Sequence, residues 1–160
     1  MRFACNAWLV SLGDDIRIAH FDPEMQESFR LLVLDGMAER WGVVDESLNA
    51  DLDNIDRHYG RDCVLVALDG EQVVGTGILV LGAGEWEIVR MSVHRDHRRS
   101  GIATRLLEKL LRHAPEYGVN RIVVETNAKG RRLEVSTKHP DSSSLIQHRA
   151  LSGLRPSTNF

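Results

Sequence analysis

The chain has 160 residues, of which 42% are hydrophobic and 27% are charged, and its net charge is −3. This length is typical of a single domain that buries a core without disulfides or metal ions. The small net charge argues against a nucleic-acid or membrane surface, and we expect neither partner. The charge is uneven, since residues 1–126 contain 14 basic and 21 acidic residues whereas residues 127–160 contain 6 and 2.

The cysteines and histidines argue against disulfide-stabilised and metal-binding classes of protein. Cys5 and Cys63 are the only cysteines and form no C-x-x-C motif, so a disulfide scaffold or a structural zinc site is not expected. His94 and His97 are the closest histidine pair, but nothing nearby completes a ligand set, and we expect no metal. No apolar run approaches the length of a membrane span, and no clean signal cleavage site is present, which favours a cytoplasmic protein.

The first third of the chain predicts one strand and two helices. Ile16 to Ala19 is typical of a short strand, and Asp22-Pro23-Glu24 of a helix start, because Asp caps a helix and Pro suits its first turn. Apolar residues at helical spacing continue to Gly42, which ends this helix. Ser47 to Tyr59 predicts a second, weaker helix. Its acids are interpreted as a solvated face: Asp51, Asp53 and Asp56.

Strand patterns dominate the middle of the chain. Cys63–Leu68 and Val73–Leu81 flank Asp69-Gly70 and predict a β-hairpin. Gly82-Ala83-Gly84 predicts the next turn, and Trp86–Val93 the next strand. Strict alternation in that strand places on one face Glu87, Val89, Met91 and Val93. It places on the other face Trp86, Ile88, Arg90 and Ser92.

The last recognisable elements are a helix and a strand. An apolar stripe predicts the helix: Ala103, Leu106, Leu107, Leu110 and Leu111. Pro115 ends it, Gly118 lies in the following turn, and Arg121–Thr126 predicts a strand. The order of these elements predicts a mixed α/β sheet.

The hydrophobic spacing that predicts helices and strands becomes weak after Asn127. Three clusters break it: Gly130-Arg131-Arg132, Lys138-His139-Pro140 and Ser142-Ser143-Ser144. A helix is hinted at only by Leu145, Ile146, Arg149, Ala150 and Leu154. If the tail is genuine but irregular, the sheet lacks its final strands within the monomer and a partner chain covers the exposed edge. We expect a monomer or a homodimer. The composition is typical either of a divergent end or of an altered reading frame.

One segment of the sequence indicates a binding site for an anionic ligand. A strand ending at Val93 leads through a basic turn into a helix that begins with Gly101, and free amides at such a helix start bind anions. Five arginines are expected to surround that pole, which favours a polyanionic ligand: Arg90, Arg95, Arg98, Arg99 and Arg105. The spacing is neither a Walker loop nor a dinucleotide fingerprint. The alternative is a solvated basic turn.

Arg98-x-x-Gly101-x-Ala103 resembles the acyl-CoA signature [Q/R]-x-x-G-x-[G/A] of the GNAT superfamily of N-acetyltransferases. The run from Glu87 to Leu107 and the hairpin at Asp69–Gly75 are similar to that family as well. The resemblance implies a single N-acetyltransferase domain over residues 1–160, clear for 15–127 and with an atypical tail, 128–160. The fold it implies is α/β (α+β), a mixed, mostly antiparallel sheet flanked by helices, with a V-shaped splay between the fourth and fifth core strands.

The resemblance also implies a site. Acetyl-CoA would be clamped between Trp86–Val93 and Arg121–Thr126, with backbone groups of Met91 and Val93 on the pantetheine arm. Amides from Arg98 or Arg99 through Thr104 would hold the pyrophosphate. The cofactor-binding residues expected on this basis are Met91, Ser92, Val93, Arg98, Arg99, Ser100, Gly101, Ile102, Ala103, Thr104 and Asn127. The acceptor would be a primary amine.

The catalytic base is expected to be Glu87, because an amine must lose its proton before it attacks a thioester, and family members that use a carboxylate often place it similarly. The alternative for Glu87 is a strand-edge charge that faces solvent, and Glu85 and Glu125 are weaker substitutes.

Many relatives carry a late tyrosine as general acid, but this chain has none after Tyr117. Tyr59 is interpreted as a packing residue that alternatively reaches the site. Because the late tyrosine is missing, the second hypothesis is a non-catalytic acyl-CoA-binding module. Separately, the acidic Asp45–Asp56 segment is a candidate for favouring a cationic amine as acceptor.

Overall fold

A computed structural model of the chain describes residues 16–60, 63–81, 86–114, 121–126, 131–136 and 149–150. The strands are β1 (Ile16–His20), β2 (Val64–Asp69), β3 (Gln72–Leu81), β4 (Trp86–Val93), β5 (Arg121–Thr126), β6 (Arg131–Ser136) and β7 (Arg149–Ala150). The α-helices are α1 (Gln26–Trp41), α2 (Ile55–Tyr59) and α3 (Ile102–His113). Short 3-10 helices span Pro23–Met25, Glu46–Asp53 and Arg95–His97. None of the described helices is both long and apolar enough to cross a membrane.

The seven strands form one sheet in chain order. Neighbouring strands are antiparallel except β4 and β5, which are parallel. A parallel pair needs a crossover connection, and α3 lies in the connection between these two strands. The predicted mixed, mostly antiparallel sheet flanked by helices is confirmed.

The helical segment that contains α1 begins and ends where local chemistry indicates. The Asp22 carboxylate accepts a hydrogen bond from the Glu24 amide at 3.0 Å and caps the 3-10 helix Pro23–Met25, which leads directly into α1. Gly42 ends α1 with a positive φ of 80°, and its amide donates to the carbonyl of Ala38 at 2.8 Å. The predicted cap at Asp22 and the predicted end at Gly42 are confirmed, whereas the first turn is a 3-10 helix and α1 itself begins at Gln26.

The second predicted helix is broken. Residues Glu46–Asp53 form a 3-10 helix, and α2 begins only after Asn54, whose backbone is extended (φ −153°, ψ 90°). The Asn54 side chain accepts a hydrogen bond from the Arg57 amide at 2.9 Å and so caps α2. Competition between this cap and a continuous helix explains why the single helix predicted over 47–59 is wrong.

The core lies on both faces of the sheet. β2 is buried on both sides, with Leu65 and Ala67 packed on the α3 face and Val64, Val66 and Leu68 on the α1 face. The α1 face is covered by α1 together with the 46–59 segment. The α3 face is covered by the apolar stripe of α3, including Leu106 and Leu110. The two helices thereby fix β4, the strand that carries the site, from opposite sides.

The tail continues the sheet, contrary to the sequence-based expectation. Arg131–Ser136 pairs with the whole of β5 as β6, and Arg149–Ala150 is a strand rather than part of a helix. An open β5 edge supplies hydrogen-bonding partners to any adjacent segment, whereas local patterning gives no sign of this pairing. The remainder of the tail and the turns predicted at Gly82–Gly84, Pro115 and Gly118 lie outside the described residues.

Candidate active site

The sheet opens between β4 and β5. The two strands are in register only at Trp86–Ile122, Glu87–Val123 and Ile88–Val124. Beyond Ile88, β4 continues for five residues to Val93, paired with β3 alone within the described part of the sheet. The predicted V-shaped splay is confirmed, and it leaves one edge of β4 open between Val89 and Val93.

A β-bulge lies on this open stretch. Thr76 pairs with Ser92 and Ile78 pairs with Val89, so Arg90 and Met91 together oppose the single residue Gly77. Arg90 has a φ of +53°, which is unusual for a residue other than glycine. Its carbonyl accepts a hydrogen bond from the buried Thr76 hydroxyl at 2.8 Å.

After the bulge, each side chain of β4 lies on the opposite face of the sheet from the one that strict alternation predicts. Met91 and Val93 pack on the α3 face with Ile88, whereas Ser92 turns to α1 and donates a hydrogen bond to the Leu32 carbonyl at 3.2 Å. The predicted alternation, with Met91 and Val93 on the same face as Glu87, is therefore wrong. The extra residue at Arg90 shifts the two-residue period by one.

Arg90 anchors a buried polar network. Its Nε and Nη2 donate to the two carboxylate oxygens of Asp51 at 2.9 and 2.7 Å, and Nη1 donates to Asn49 Oδ1 at 3.0 Å. The Tyr59 hydroxyl donates to the same Asp51 carboxylate. Only 11% of the Asp51 side chain is exposed, so its interpretation as part of a solvated face is wrong. The network joins the 46–59 segment to the bulge, and hydropathy alone does not indicate it.

The network shifts the ionisation of its members. Burial would raise the pKa of Asp51, but hydrogen bonds from Tyr59 and Arg90 outweigh it, and the pKa is lowered. Burial together with the hydrogen bond to Asp51 raises the pKa of Tyr59 to about 12. Burial lowers and the Asp51 carboxylate raises the pKa of Arg90, with a raised value as the result. At neutral pH the pair is ionised and Tyr59 keeps its proton.

A cavity of about 430 Å³ lies between α1, α2 and the bulge. Seven apolar residues line it: Val33, Met37, Trp41, Val80, Ile88, Val89 and Met91. Polar side chains are supplied by Arg40, Tyr59, Arg90 and Ser92. Tyr59 packs against the core on the α1 face, which confirms its interpretation as a packing residue, and it also lines this cavity.

Glu87 lies immediately before the point of divergence. It is half-buried, and it is in register with Val80 of β3 and Val123 of β5. Residues directly opposite on antiparallel strands share a face, so Glu87 lies on the face of Val80, which lines the cavity. Its side chain is not among those that line the cavity itself.

The start of α3 has the features of an anion site. Gly101 occupies the N-cap with a φ of +79°, and a Cβ there would meet no atom within 4 Å. Since glycine has no side chain, no side-chain cap binds the first amides of α3, those of Ile102, Ala103 and Thr104. The first helical hydrogen bond runs from the Arg105 amide to the Gly101 carbonyl at 3.0 Å.

The arginines are distributed differently from the expectation. Arg90 binds Asp51, and Arg105 donates to the Ile16 carbonyl at 2.9 Å, so neither surrounds the helix start. Arg98 donates to the Val93 carbonyl at 3.1 Å and pairs with Glu39 of α1. Arg95 and Arg99 are exposed beside the loop. Sequence spacing places arginines near one another but does not indicate which acids or carbonyls bind them.

A second cavity of about 260 Å³ brings together three of the expected cofactor-binding residues, Ser92, Val93 and Arg98. The other expected cofactor-binding residues of the loop and of α3 come immediately after Arg98 in the chain: Arg99, Ser100, Gly101, Ile102, Ala103 and Thr104. Ser100 is tied to the loop through a hydrogen bond from its hydroxyl to the His97 carbonyl. Asn127 lies outside the described residues.

The histidines of the loop are engaged with acids. His97 Nε2 lies 3.0 Å from an Asp69 carboxylate oxygen, and His94 Nδ1 lies 3.8 Å from Asp96. Within the described ranges no three His, Cys, Asp or Glu side chains are grouped as metal ligands. The contact between His97 and Asp69 joins the loop between β4 and α3 to the β2–β3 hairpin.

The acetyltransferase (GNAT) family model matches residues 25–133, more than half of the chain. The chain belongs to the GNAT acetyltransferase family. It is 32% identical over 93 residues to human N-acetyltransferase 8B, a match that covers 52% of this chain and 41% of that protein. The matched part of this GNAT protein thus spans about two fifths of the length of the human relative.

Solved structures share the fold. A GNAT-family acetyltransferase from Staphylococcus aureus Mu50 superposes with a TM-score of 0.62 at 22% identity, covering 69% of this chain and 72% of the other. A GNAT-family acetyltransferase from Brucella melitensis, in complex with acetyl-CoA, superposes with a TM-score of 0.59 at 17% identity. This second match covers 84% of this chain and 94% of the other. At these identities the likeness establishes the fold.

Proposed function

We propose that this GNAT protein transfers an acetyl group from acetyl-CoA directly to a primary amine. One observation carries the proposal: the open edge of β4 leads straight to a helix start that has no side-chain cap. An open strand edge suits an extended amide-containing arm, and an uncapped helix start suits a pyrophosphate. Membership of the GNAT family supports acetyl-CoA as the molecule that has both.

The residues present suit this donor. Backbone groups of Met91 and Val93 would hold the pantetheine arm along the open edge, and the amides from Arg99 to Thr104 would hold the pyrophosphate. Ser92 contributes through its backbone, because its hydroxyl is bound to Leu32. Gly101 leaves open space where a side chain would stand. Acetyl-CoA supplies an activated acyl group on a thiol whose ordinary pKa of about 8.5 makes it a fair leaving group.

Glu87 is proposed as the base. A primary ammonium with a pKa of about 10.4 is almost fully protonated at neutral pH, so a carboxylate, directly or through one water, must take a proton. The amine nitrogen then forms a bond to the acetyl carbon, the bond from that carbon to sulfur breaks, and the thiolate takes up a proton. A strand amide between Met91 and Val93 would stabilise the negative charge on the carbonyl oxygen. The chain has no tyrosine after Tyr117 to serve as general acid.

Release of the CoA thiol in the presence of a panel of primary amines tests this function. We expect amine-dependent release, and a loss in kcat of about 10²-fold or more in Glu87→Gln with unchanged acetyl-CoA affinity by calorimetry. Glu71→Gln, at an exposed position of the hairpin, is the matched control and should leave kcat unchanged. Acetyl-CoA binding without amine-dependent release would instead support a non-catalytic acyl-CoA-binding module.

A further inference from the structure

We propose that the 430 Å³ cavity receives the acceptor and selects a compact monoamine with an apolar body over a diamine or a lysine-rich peptide. This inference rests on the proposed acetyl transfer and names the substrate class of that site. Three observations carry it: the apolar composition of the cavity wall, the absence of Asp and Glu among the described lining residues, and the pairing of the neighbouring acids.

The wall is mainly apolar. Seven of its eleven described residues are hydrophobic, and they come from α1, β3 and β4. Removal of apolar surface from water favours binding, so an alkyl or aromatic body gains affinity here. A second ammonium in such a body would lose its hydration without a compensating partner.

Among the described residues that line the cavity there is no Asp or Glu. The charged residues among them are Arg40 and Arg90, and Arg90 is already paired with Asp51. A second ammonium on the acceptor would therefore meet no carboxylate on the described wall that offsets the loss of its hydration.

Four acids of the neighbouring acidic segment already have partners within the protein. Asp51 is bound by Arg90 and Tyr59, and Asp45 caps its own 3-10 helix through the amide and hydroxyl of Ser47. Glu46 pairs with Arg30, and Asp53 lies 3.5 Å from the same guanidinium. The idea that the Asp45–Asp56 segment favours a cationic amine is not supported by these pairings.

A matched pair of ligands tests the proposal. Pentylamine and cadaverine have the same carbon chain and differ by one terminal ammonium. Calorimetric binding to the protein with CoA present, followed by kcat/KM with acetyl-CoA, should favour pentylamine by about tenfold or more, because cadaverine must bury a second charge. Equal or tighter binding of cadaverine, or no binding of either amine, would overturn the inference.

A variant pair locates the effect. Trp41→Glu places a carboxylate on the cavity wall at a side chain that is 64% exposed, so the fold should tolerate it. We expect it to shift the ratio severalfold toward cadaverine. Leu31→Glu introduces the same charge on α1 at a side chain that is 48% exposed and not on the wall, and it should leave the ratio unchanged. Identical ratios in both variants would show that the acceptor binds elsewhere.

The two proposals fail in different ways. Selective binding of pentylamine without CoA release would refute the acetyl transfer and retain the cavity as a monoamine site. Acetyl transfer to cadaverine in preference to pentylamine would retain the enzyme and refute the selectivity.

Discussion

The guanidinium of Arg90 and the carboxylate of Asp51 form a two-point ion pair between β4 and a residue 39 positions earlier. Arg90 is also the bulge residue with a positive φ, a conformation that costs of order 1–3 kcal/mol and persists only where its surroundings fix it. The ion pair and the hydrogen bond from Thr76 to the Arg90 carbonyl provide that constraint. The cavity proposed for the acceptor is thus shaped by a contact with the 46–59 segment.

Replacing Asp51 by Asn should destabilise the protein by about 2–3 kcal/mol, because a half-buried guanidinium loses its charged partner. Urea unfolding measures the change. Asp53→Asn is the matched control, since its carboxylate is 66% exposed, and it should change the unfolding free energy by less than about 0.5 kcal/mol. Equal effects of the two substitutions would argue against the network as a stabilising feature.

Tyr59→Phe should have an effect that depends on pH. The pKa of Tyr59 is raised to about 12 in the folded protein, against about 10 when unfolded. A raised folded pKa means that the stabilisation is fully present below about pH 10 and is lost as the pH rises through about 12. The difference in unfolding free energy between wild type and Tyr59→Phe should therefore shrink from neutral pH toward pH 12. In an Asp51→Asn background this pH dependence should become smaller but persist, because burial is the larger cause of the raised pKa of Tyr59. An unchanged pH dependence in that background would contradict the contribution of Asp51.

The contact between Gly36 and Ser92 predicts that Gly36→Ala destabilises the wild type but stabilises a variant in which Ser92 is replaced by Ala. A Cβ on Gly36 of α1 would clash with the Ser92 hydroxyl, so Gly36→Ala should destabilise the protein by about 1–3 kcal/mol. Once Ser92 is replaced by Ala, the nearest atom is the residue 92 Cβ at 3.7 Å, an ordinary contact. In that background Gly36→Ala should stabilise α1 by about 0.5–1 kcal/mol, the helix preference of Ala over Gly. Additive effects in the double-mutant cycle would rule out this contact.

Gly101→Ala separates backbone strain from ligand binding. Both Gly101 and Gly70 have positive φ, at +79° and +58°, and a Cβ on either meets no atom within 4 Å. Alanine at either position should cost about 1–2 kcal/mol of stability. Only Gly101→Ala should also weaken acetyl-CoA binding in calorimetry, because its backbone opens the proposed pyrophosphate site. A similar loss of affinity in Gly70→Ala would assign the effect to stability alone.

Local patterns were sufficient for most of the fold. The residue limits of β4 and β5, the cap at Asp22 and the apolar stripe of α3 follow from alternation, capping residues and helical spacing, which are local patterns. The glycine at the start of α3 also follows from local sequence, which is why a helix start without a side-chain cap was predictable.

Features that depend on distant residues were not predictable. The bulge at Arg90 arises from the register with β3, and the pairing of Asp51 with Arg90 needs the 46–59 segment folded against β4. Without the bulge, strict alternation placed Met91 and Val93 on the wrong face. The strands β6 and β7 are paired to existing sheet edges, and their own composition does not indicate strands.

Among the described strands, three residue pairs between β4 and β5 provide the strand pairing that joins β1–β4 to β5–β7. The core on the α3 face adds a second connection, because it contains Ile122 and Val124 of β5 together with Ile88 of β4. A ligand that enters between the diverging strands would act on these three pairs first, so hydrogen exchange at the amides of Trp86–Ile88 should report changes in the separation of β4 and β5.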